Sequence, residues 1–384
     1  MILSSHAQLP TVFVMDAAHL ANVKKKFQQK DPATVQLIAK LQTQADAMLS
    51  KKPMSVMDKT LTPVSGNKHD YMSQAPYFWY DSSKPNGLPY LRRDGVRNPE
   101  INKITDRKNI GDLESCTRVL ALTWYFTGEE KYAEKASALM QTWFIDDATK
   151  MNPNLEYAQA IPGINNGRGI GIIETRGLVG VADAVGLLEG SKSFTESQKK
   201  LLQQWYAQYL SWLLSSKNGN DEHAAKNNHG TWYYAQVIDF ALFTGDKKKA
   251  AQLVEESKKR LDIQLTKEGK QPLELERTNA MGYSTMNLRG WLDVAKLAEN
   301  TGIDLWSYKT PLGAGIQNAL EWLKPYALGK EKWEYQQISK YNPAEFYPIL
   351  VQAGEKYKSP AYFDEAKQVK RENNDALTDL FYNK

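Results

Sequence analysis

Asn227-Asn228-His229-Gly230-Thr231-Trp232 stand between a polar stretch, Lys217 to Lys226, expected to be a loop, and an apolar run with helical spacing, Trp232 to Phe243. Asn is a favoured N-cap residue, so His229 is expected at or beside a helix start. The free N–H groups and the dipole of such a start favour an anion. An imidazole next to two amides suits holding a carboxylate and moving a proton close to it. That is the chemistry of cleaving a polyuronate by β-elimination. A helix cap followed by a packed histidine needs the same residues and no chemistry.

Downstream, Leu273-Glu274-Leu275-Glu276-Arg277-Thr278-Asn279-Ala280-Met281-Gly282-Tyr283 opens a second helical block. Arg277 brings a permanent charge on a forked donor. Tyr283 brings a phenol, which a nearby guanidinium is expected to favour as phenolate, so that it can take or return a proton. Together these residues suit one reaction. Asn228, helped by Asn227 or Arg277, holds the uronate carboxylate and the developing enolate. His229 or Tyr283 removes the C5 proton, and Tyr283 protonates the departing glycosidic oxygen. No cofactor enters this scheme.

Two irregular segments are candidates for holding a substrate. Residues 52–109 carry six prolines and also Tyr71, Tyr77, Phe78, Trp79, Tyr80 and Tyr90, followed by Arg92, Arg93 and Arg97. A loop this long in a compact domain is usually functional or disordered, and its aromatic content argues against disorder. Aromatic faces with arginine forks fit sugar stacking and carboxylate pairing, although an arm that only packs would look similar. Near Ile164-Asn165-Asn166-Gly167-Arg168-Gly169 the glycines permit close backbone approach. This turn lacks the Lys-Ser/Thr of a phosphate-binding loop and follows no strand. Asn166 and Arg168 are therefore read as binding an anionic sugar, or as a structural turn.

Helical periodicity dominates the elements that must position these groups. Helices are expected near 16–30, 32–49, 111–127, 130–145, 170–189, 195–216, 230–243, 246–265, 284–300, 312–325, 343–354 and 360–373. A weak repeat recurs in Phe126-Thr127-Gly128-Glu129, Phe243-Thr244-Gly245-Asp246 and, more loosely, Asn300-Thr301-Gly302-Ile303-Asp304. Each copy ends an apolar helix on Gly and opens the next near an acid. Repeated αα-hairpins predict an all-α solenoid or an incomplete α/α toroid, with 52–109 as a long irregular aromatic-rich arm.

Composition narrows the classes. The 384 residues carry a net charge of +5, a modest excess that suits a polyanion without requiring nucleic acid. The short basic runs Lys24-Lys25-Lys26, Lys247-Lys248-Lys249 and Lys258-Lys259-Arg260 fall on expected helices and read as solvated faces. The single cysteine, Cys116, excludes an internal disulfide framework and reads as core. His6, His19, His69, His223 and His229 show no metal-binding spacing, so no metal is expected. No stretch is apolar enough to suggest a membrane span. Ser5-His6-Ala7 with Gln8 following reads like the end of a trimmed signal peptide, which points to a periplasmic or secreted bacterial protein.

The set Asn227-Asn228-His229, Arg277 and Tyr283 resembles the alginate lyase superfamily of α/α toroids. Polysaccharide lyase family 5 has such a set, although Arg277 and Tyr283 stand one residue closer here. The wider pattern is more similar to polysaccharide lyase family 38. It comprises His69-Asp70-Tyr71, Ala75-Pro76-Tyr77, Leu88-Pro89-Tyr90-Leu91-Arg92-Arg93-Asp94-Gly95 and Gly167-Arg168-Gly169-Ile170-Gly171. The resemblance covers roughly residues 65 to 300. It implies that Asn228 neutralises the carboxylate, that His229 and Tyr283 are base and acid, and that Arg277 supports Tyr283. Asn227, Asn166, Arg168, Tyr77, Trp79, Arg92, Arg93 and His69 are then expected to bind substrate. It also implies one toroid lyase domain over 16–384, after an N-terminal segment at 1–15 that includes the signal-peptide remnant. The expected partner is an anionic polysaccharide, alginate (polymannuronate above all) or glucuronan. Competing readings are a uronyl glycoside hydrolase, using a pair among Asp70, Asp94, Glu174 and Glu274, and a non-catalytic polysaccharide-binding toroid.

Overall fold

Local signals start and stop the helices of this computed structural model, which describes residues 9–370 and 375–382. Asp31 caps Pro32–Leu49 through Thr34, with proline in the first turn. Thr195 and Gln198 form a reciprocal capping box for Glu196–Ser215. The Thr-Gly-acid repeat marks hairpin turns as expected. Gly128, Gly245 and Gly302 take φ of 72°, 85° and 81°, the left-handed conformation that ends helices Asp106–Thr127, Asn228–Phe243 and Ala280–Glu299. The signal-peptide reading at Ser5-His6-Ala7 lies outside the described residues.

The helices form the expected α/α toroid. Asp106–Thr127, Leu178–Leu187, Asn228–Phe243 and Ala280–Glu299 pack in succession as an inner ring. Pro32–Leu49, Glu130–Met140, Glu196–Ser215, Lys247–Gln264 and Ile316–Ala327 lie against them from outside. The C-terminal helix Ala376–Tyr382 returns to pack on Pro32–Leu49. The core between the two layers is continuous, and Cys116 belongs to it.

Four expectations are corrected. The turn at 164–169, read as following no strand, comes just after strand Tyr157–Ala160. Lys217–His223 is a helix capped by Ser216, not a loop, because its first turn finds a side-chain acceptor for Gly219. The element expected at 170–189 begins as a 3₁₀ segment, Gly169–Thr175, before the α-helix Leu178–Leu187. The helix expected from 111 starts at Asp106.

The arm at 52–109 is ordered by polar anchors. Lys59 and Asp106, both without solvent exposure, pair at 3.0 Å, and Lys59 also donates to the carbonyls of Val56 and Lys68. Strand Met72–Gln74 runs parallel to Tyr157–Ala160, and Phe78–Trp79 pairs antiparallel with Leu91–Arg92. These short pairings lay the arm across the ends of the inner helices.

Candidate active site

The Asn228–Phe243 helix is buried at every residue except His229. Asn227 caps it, its side-chain oxygen accepting from the His229 N–H at 3.3 Å. Gly230 is required by space, since a Cβ there would sit 2.3 Å from the Ala225 carbonyl oxygen. The short helix Lys217–His223 places buried Glu222 with Oε1 2.7 Å from His229 Nδ1. A carboxylate accepts here, so in the neutral imidazole the proton sits on Nδ1 and Nε2 keeps its lone pair. Asn228 is fully buried, and its backbone N–H and Nδ2 donate to the two oxygens of Glu274 at 2.6 and 2.8 Å. Burial pushes the Glu274 carboxyl up, against the Asn228 hydrogen bonds and the charge of Arg277. The amide expected to meet a substrate carboxylate is thus already held by a protein carboxyl group.

Tyr283 lies in the first turn of Ala280–Glu299, the helix packed beside Asn228–Phe243. The Arg277 guanidinium lies 3.8 Å from the centre of its ring. Asp94 of the arm grips that guanidinium in a fork, at 3.1 Å to Nε and 2.8 Å to a terminal nitrogen. It also accepts from the N–H and hydroxyl of Thr278. Burial alone would raise the Asp94 carboxyl, but Arg277 and Thr278 hold it well below the usual range. Gly95, at φ 72°, lets the arm close here, since a Cβ would meet the Thr278 hydroxyl at 2.5 Å. The Tyr283 hydroxyl donates to the Tyr77 hydroxyl at 2.9 Å. Burial raises the Tyr283 phenol, the Tyr77 bond adds to this, and the Arg277 charge only partly opposes it. The expectation that arginine favours the phenolate is therefore outweighed, and Tyr283 carries its proton at neutral pH.

Of the residues expected to bind substrate, Tyr77 and Arg92 are tied directly to the Tyr283 side of the site. Arg92, largely exposed, shares Asp94 with Arg277 at 2.8 Å. Arg93 lies over Trp79 at 5.2 Å, and the Trp79 ring N–H donates to the Val96 carbonyl. Arg168 grips Gln159 through its carbonyl and side-chain oxygens and covers Phe78. Gln159 holds φ at 51°, a strained value of the kind that gathers at functional sites. Asn166 is exposed. His69 bonds the Lys150 carbonyl, and its other contacts do not join it to His229 or Tyr283. Arg97 and Arg107 add positive charge beside Tyr77 and Glu174.

Glu222 had no signal in the sequence, because its partner is met across a chain reversal. Asp94 and Glu274 were visible only as carboxylates. The four carboxylates considered for hydrolysis are all engaged: Asp70 by Ser65, Asn152 and Asn154, Asp94 by Arg277, Glu174 by Tyr71 and Ser73, and Glu274 by Asn228. Among the described residues, no group of three His, Cys, Asp or Glu side chains is placed to hold a metal ion.

A search of curated proteins found no match. Among solved structures, an alginate lyase from Bacteroides ovatus is 40% identical, with 97% of this chain and 99% of that chain covered and a TM-score of 0.93. Alginate lyase A1-III from Sphingomonas species A1 is 15% identical, with 95% and 94% covered and a TM-score of 0.60. A histidine-to-alanine variant of A1-III complexed with a tetrasaccharide is 14% identical, with 96% and 98% covered and a TM-score of 0.60. The A1-III likeness shows a common fold. A family model described as alginate lyase matches residues 55–333, the span that holds both helix starts and the arm that meets them, and the chain belongs to the alginate lyase family.

Proposed function

We propose that this protein cleaves alginate by β-elimination, acting on polymannuronate and leaving unsaturated uronyl ends. The observation that carries the reading is the placement of His229 and Tyr283 in the first turns of two packed inner helices, each fixed by its own partner. Family membership and the 40% identical structure support the lyase class.

β-Elimination removes the C5 proton, forms the C4–C5 double bond and breaks the bond from C4 to the glycosidic oxygen, which takes a proton. Asn227 and, once its amide turns from Glu274 towards the cleft, Asn228 receive the carboxylate, and Arg277 adds positive charge as the enolate develops. In mannuronate the C5 proton and the C4 oxygen share one side of the ring, so one group serves both steps. Tyr283 fits that role once its own proton has moved away. The Nε2 lone pair of His229 is the acceptor for that proton, and the bond to Tyr77 holds the Tyr283 hydroxyl in place. In guluronate the two groups lie on opposite sides, so His229 takes the proton and Tyr283 gives one. Arg92, Arg93, Arg168, Asn166, Tyr77 and Trp79 line the path of the chain, with His69 at its edge. A polymer substrate suits a periplasmic or secreted enzyme.

Purified protein incubated with polymannuronate, polyguluronate and glucuronan tests this through the ultraviolet absorbance of the new double bond. The expected result is absorbance rising fastest on polymannuronate. A faster rise on glucuronan moves the substrate while keeping the chemistry, since mannuronate and glucuronate differ only at C2. No rise on any of the three overturns the proposal.

A further inference from the structure

Inside the ring of inner helices lies a chamber of about 520 Å³ that the reaction described above does not use. Arg118 of Asp106–Thr127, Arg176 just before Leu178–Leu187 and Arg289 of Ala280–Glu299 reach its wall from three directions. Arg176 lies over Trp232, one turn below His229. None of the three guanidinium groups forms an ion pair within 4 Å among the described residues. The Nε of Arg118 and one oxygen of neighbouring Glu114 are buried with no hydrogen-bond partner. Burial, and then the facing charge of Arg289, pull Arg118 down from its ordinary value. Two guanidinium groups that repel each other across an open space are the arrangement an anion relieves.

The carboxylates on the wall do not supply that anion. Asp183 is spent on the backbone N–H groups of Phe13, Val14 and Met15. Asp16 and Glu355 have partners of their own. Burial raises Glu114 to about 8 against Arg176 and Arg118. Burial raises Asp293 to about 6 against Arg289 and Arg118, and it lies within 4 Å of neither guanidinium. Two wall lysines, Lys296 and Lys356, are paired with Glu299. The sequence also keeps space here. Nothing lies within 4 Å of where a Cβ on Gly111 would point, and a Cβ on Gly177 would collide with the Glu114 carboxyl. A neighbouring cavity shares Arg118, Arg289 and Tyr382, so the space continues past the two arginines.

We propose that this chamber is a second, non-catalytic site that binds a small carboxylated sugar, a monouronate, on Arg118, Arg176 and Arg289. The choice of a uronate rests on the lyase reading, because short uronates are what that reaction releases. The volume lies in the range of small-ligand pockets. Product held there leaves the polymer cleft at His229 and Tyr283 free.

Calorimetric titration of the whole protein with sodium glucuronate, and with glucose as the neutral control, tests the proposal. Glucuronate is expected to bind and glucose not to. Arg118→Gln and Arg289→Gln are each expected to weaken glucuronate by about tenfold or more, the loss of a charged hydrogen bond. The initial rate on polymer should be unchanged in both. Gly111→Leu keeps every arginine, favours the helix and fills the chamber, and should abolish glucuronate binding if the arginine variants fail to fold. Wild-type protein with no affinity at millimolar glucuronate, equal binding of glucose, or an affinity that the folded variants leave unchanged would each overturn it. Calorimetry needs no turnover, so a protein inactive on every polymer that still bound glucuronate through Arg118 and Arg289 would defeat the lyase reading and leave this site standing.

Discussion

The two helix starts that form the site are built in different ways. At His229 every support comes from the toroid: Asn227 from the preceding turn, Glu222 from Lys217–His223, and Glu274 from the short helix Pro272–Leu275. At Tyr283 the supports come from the arm, with Tyr77 on the hydroxyl and Asp94 on the arginine that covers the ring. The first half is complete wherever the helices are packed. The second exists only while 52–109 lies across them. Under the proposed mechanism, a site divided this way ties the proton donor Tyr283 to the segment that also carries Trp79, Arg92 and Arg93, so polymer binding and readiness of Tyr283 would depend on one element.

This contrast orders the expected effects of substitution. Tyr283→Phe keeps the ring and its contact with Arg277 and removes only the hydroxyl. Turnover should fall by about 10³-fold, within the ~10²–10⁴ typical of general acid–base groups, while tetrasaccharide binding persists. Glu222→Gln keeps the size of the side chain but no longer fixes the proton on His229 Nδ1. It should lower kcat by about tenfold to a hundredfold with KM nearly constant, a split that steady-state kinetics reads directly.

Asp94→Asn acts on the arm-built half. It should cost several-fold in kcat and raise KM, with protection from hydrogen exchange lost around Tyr77 but not around His229. Because the folded Asp94 carboxyl is held below its ordinary range, its stabilising contribution is complete above the unfolded carboxylate pKa of about 4 and is lost as pH falls through its own lower value. The variant should therefore show a flatter loss of thermal stability in acid and no change of slope near neutrality. The smallest effects belong to Arg92→Ala, Arg93→Ala, Asn166→Ala and Arg168→Ala. Each should raise KM with little change in kcat, and unchanged kinetics in all four would remove them from the substrate path.

The toroid was legible because helix caps and glycine stops are local. Asp31-Pro32 sets one start, and Gly128, Gly245 and Gly302 set three ends, each by rules that act within one turn. Asn227 was readable as a cap for the same reason. The partners were not. Glu274 lies 46 residues from Asn228, and Asp94 lies 183 residues from Arg277. Only the packed fold brings them together. Glu222 is hidden in a polar stretch whose helix depends on the Ser216 cap rather than on an apolar stripe. The direction of the Tyr283 shift was missed because the arginine next to it is visible in the sequence and its burial is not.

Elimination and hydrolysis of a glycosidic bond leave different ends, and elimination is the one proposed for this chain. Cleavage of polymannuronate in heavy-oxygen water tests it most directly, read by mass spectrometry of the fragments. With the new reducing ends trapped by borohydride as they form, elimination gives one unsaturated end for each bond broken and no solvent oxygen in either new terminus. Fragments with saturated ends that carry one heavy oxygen per cleavage would contradict it.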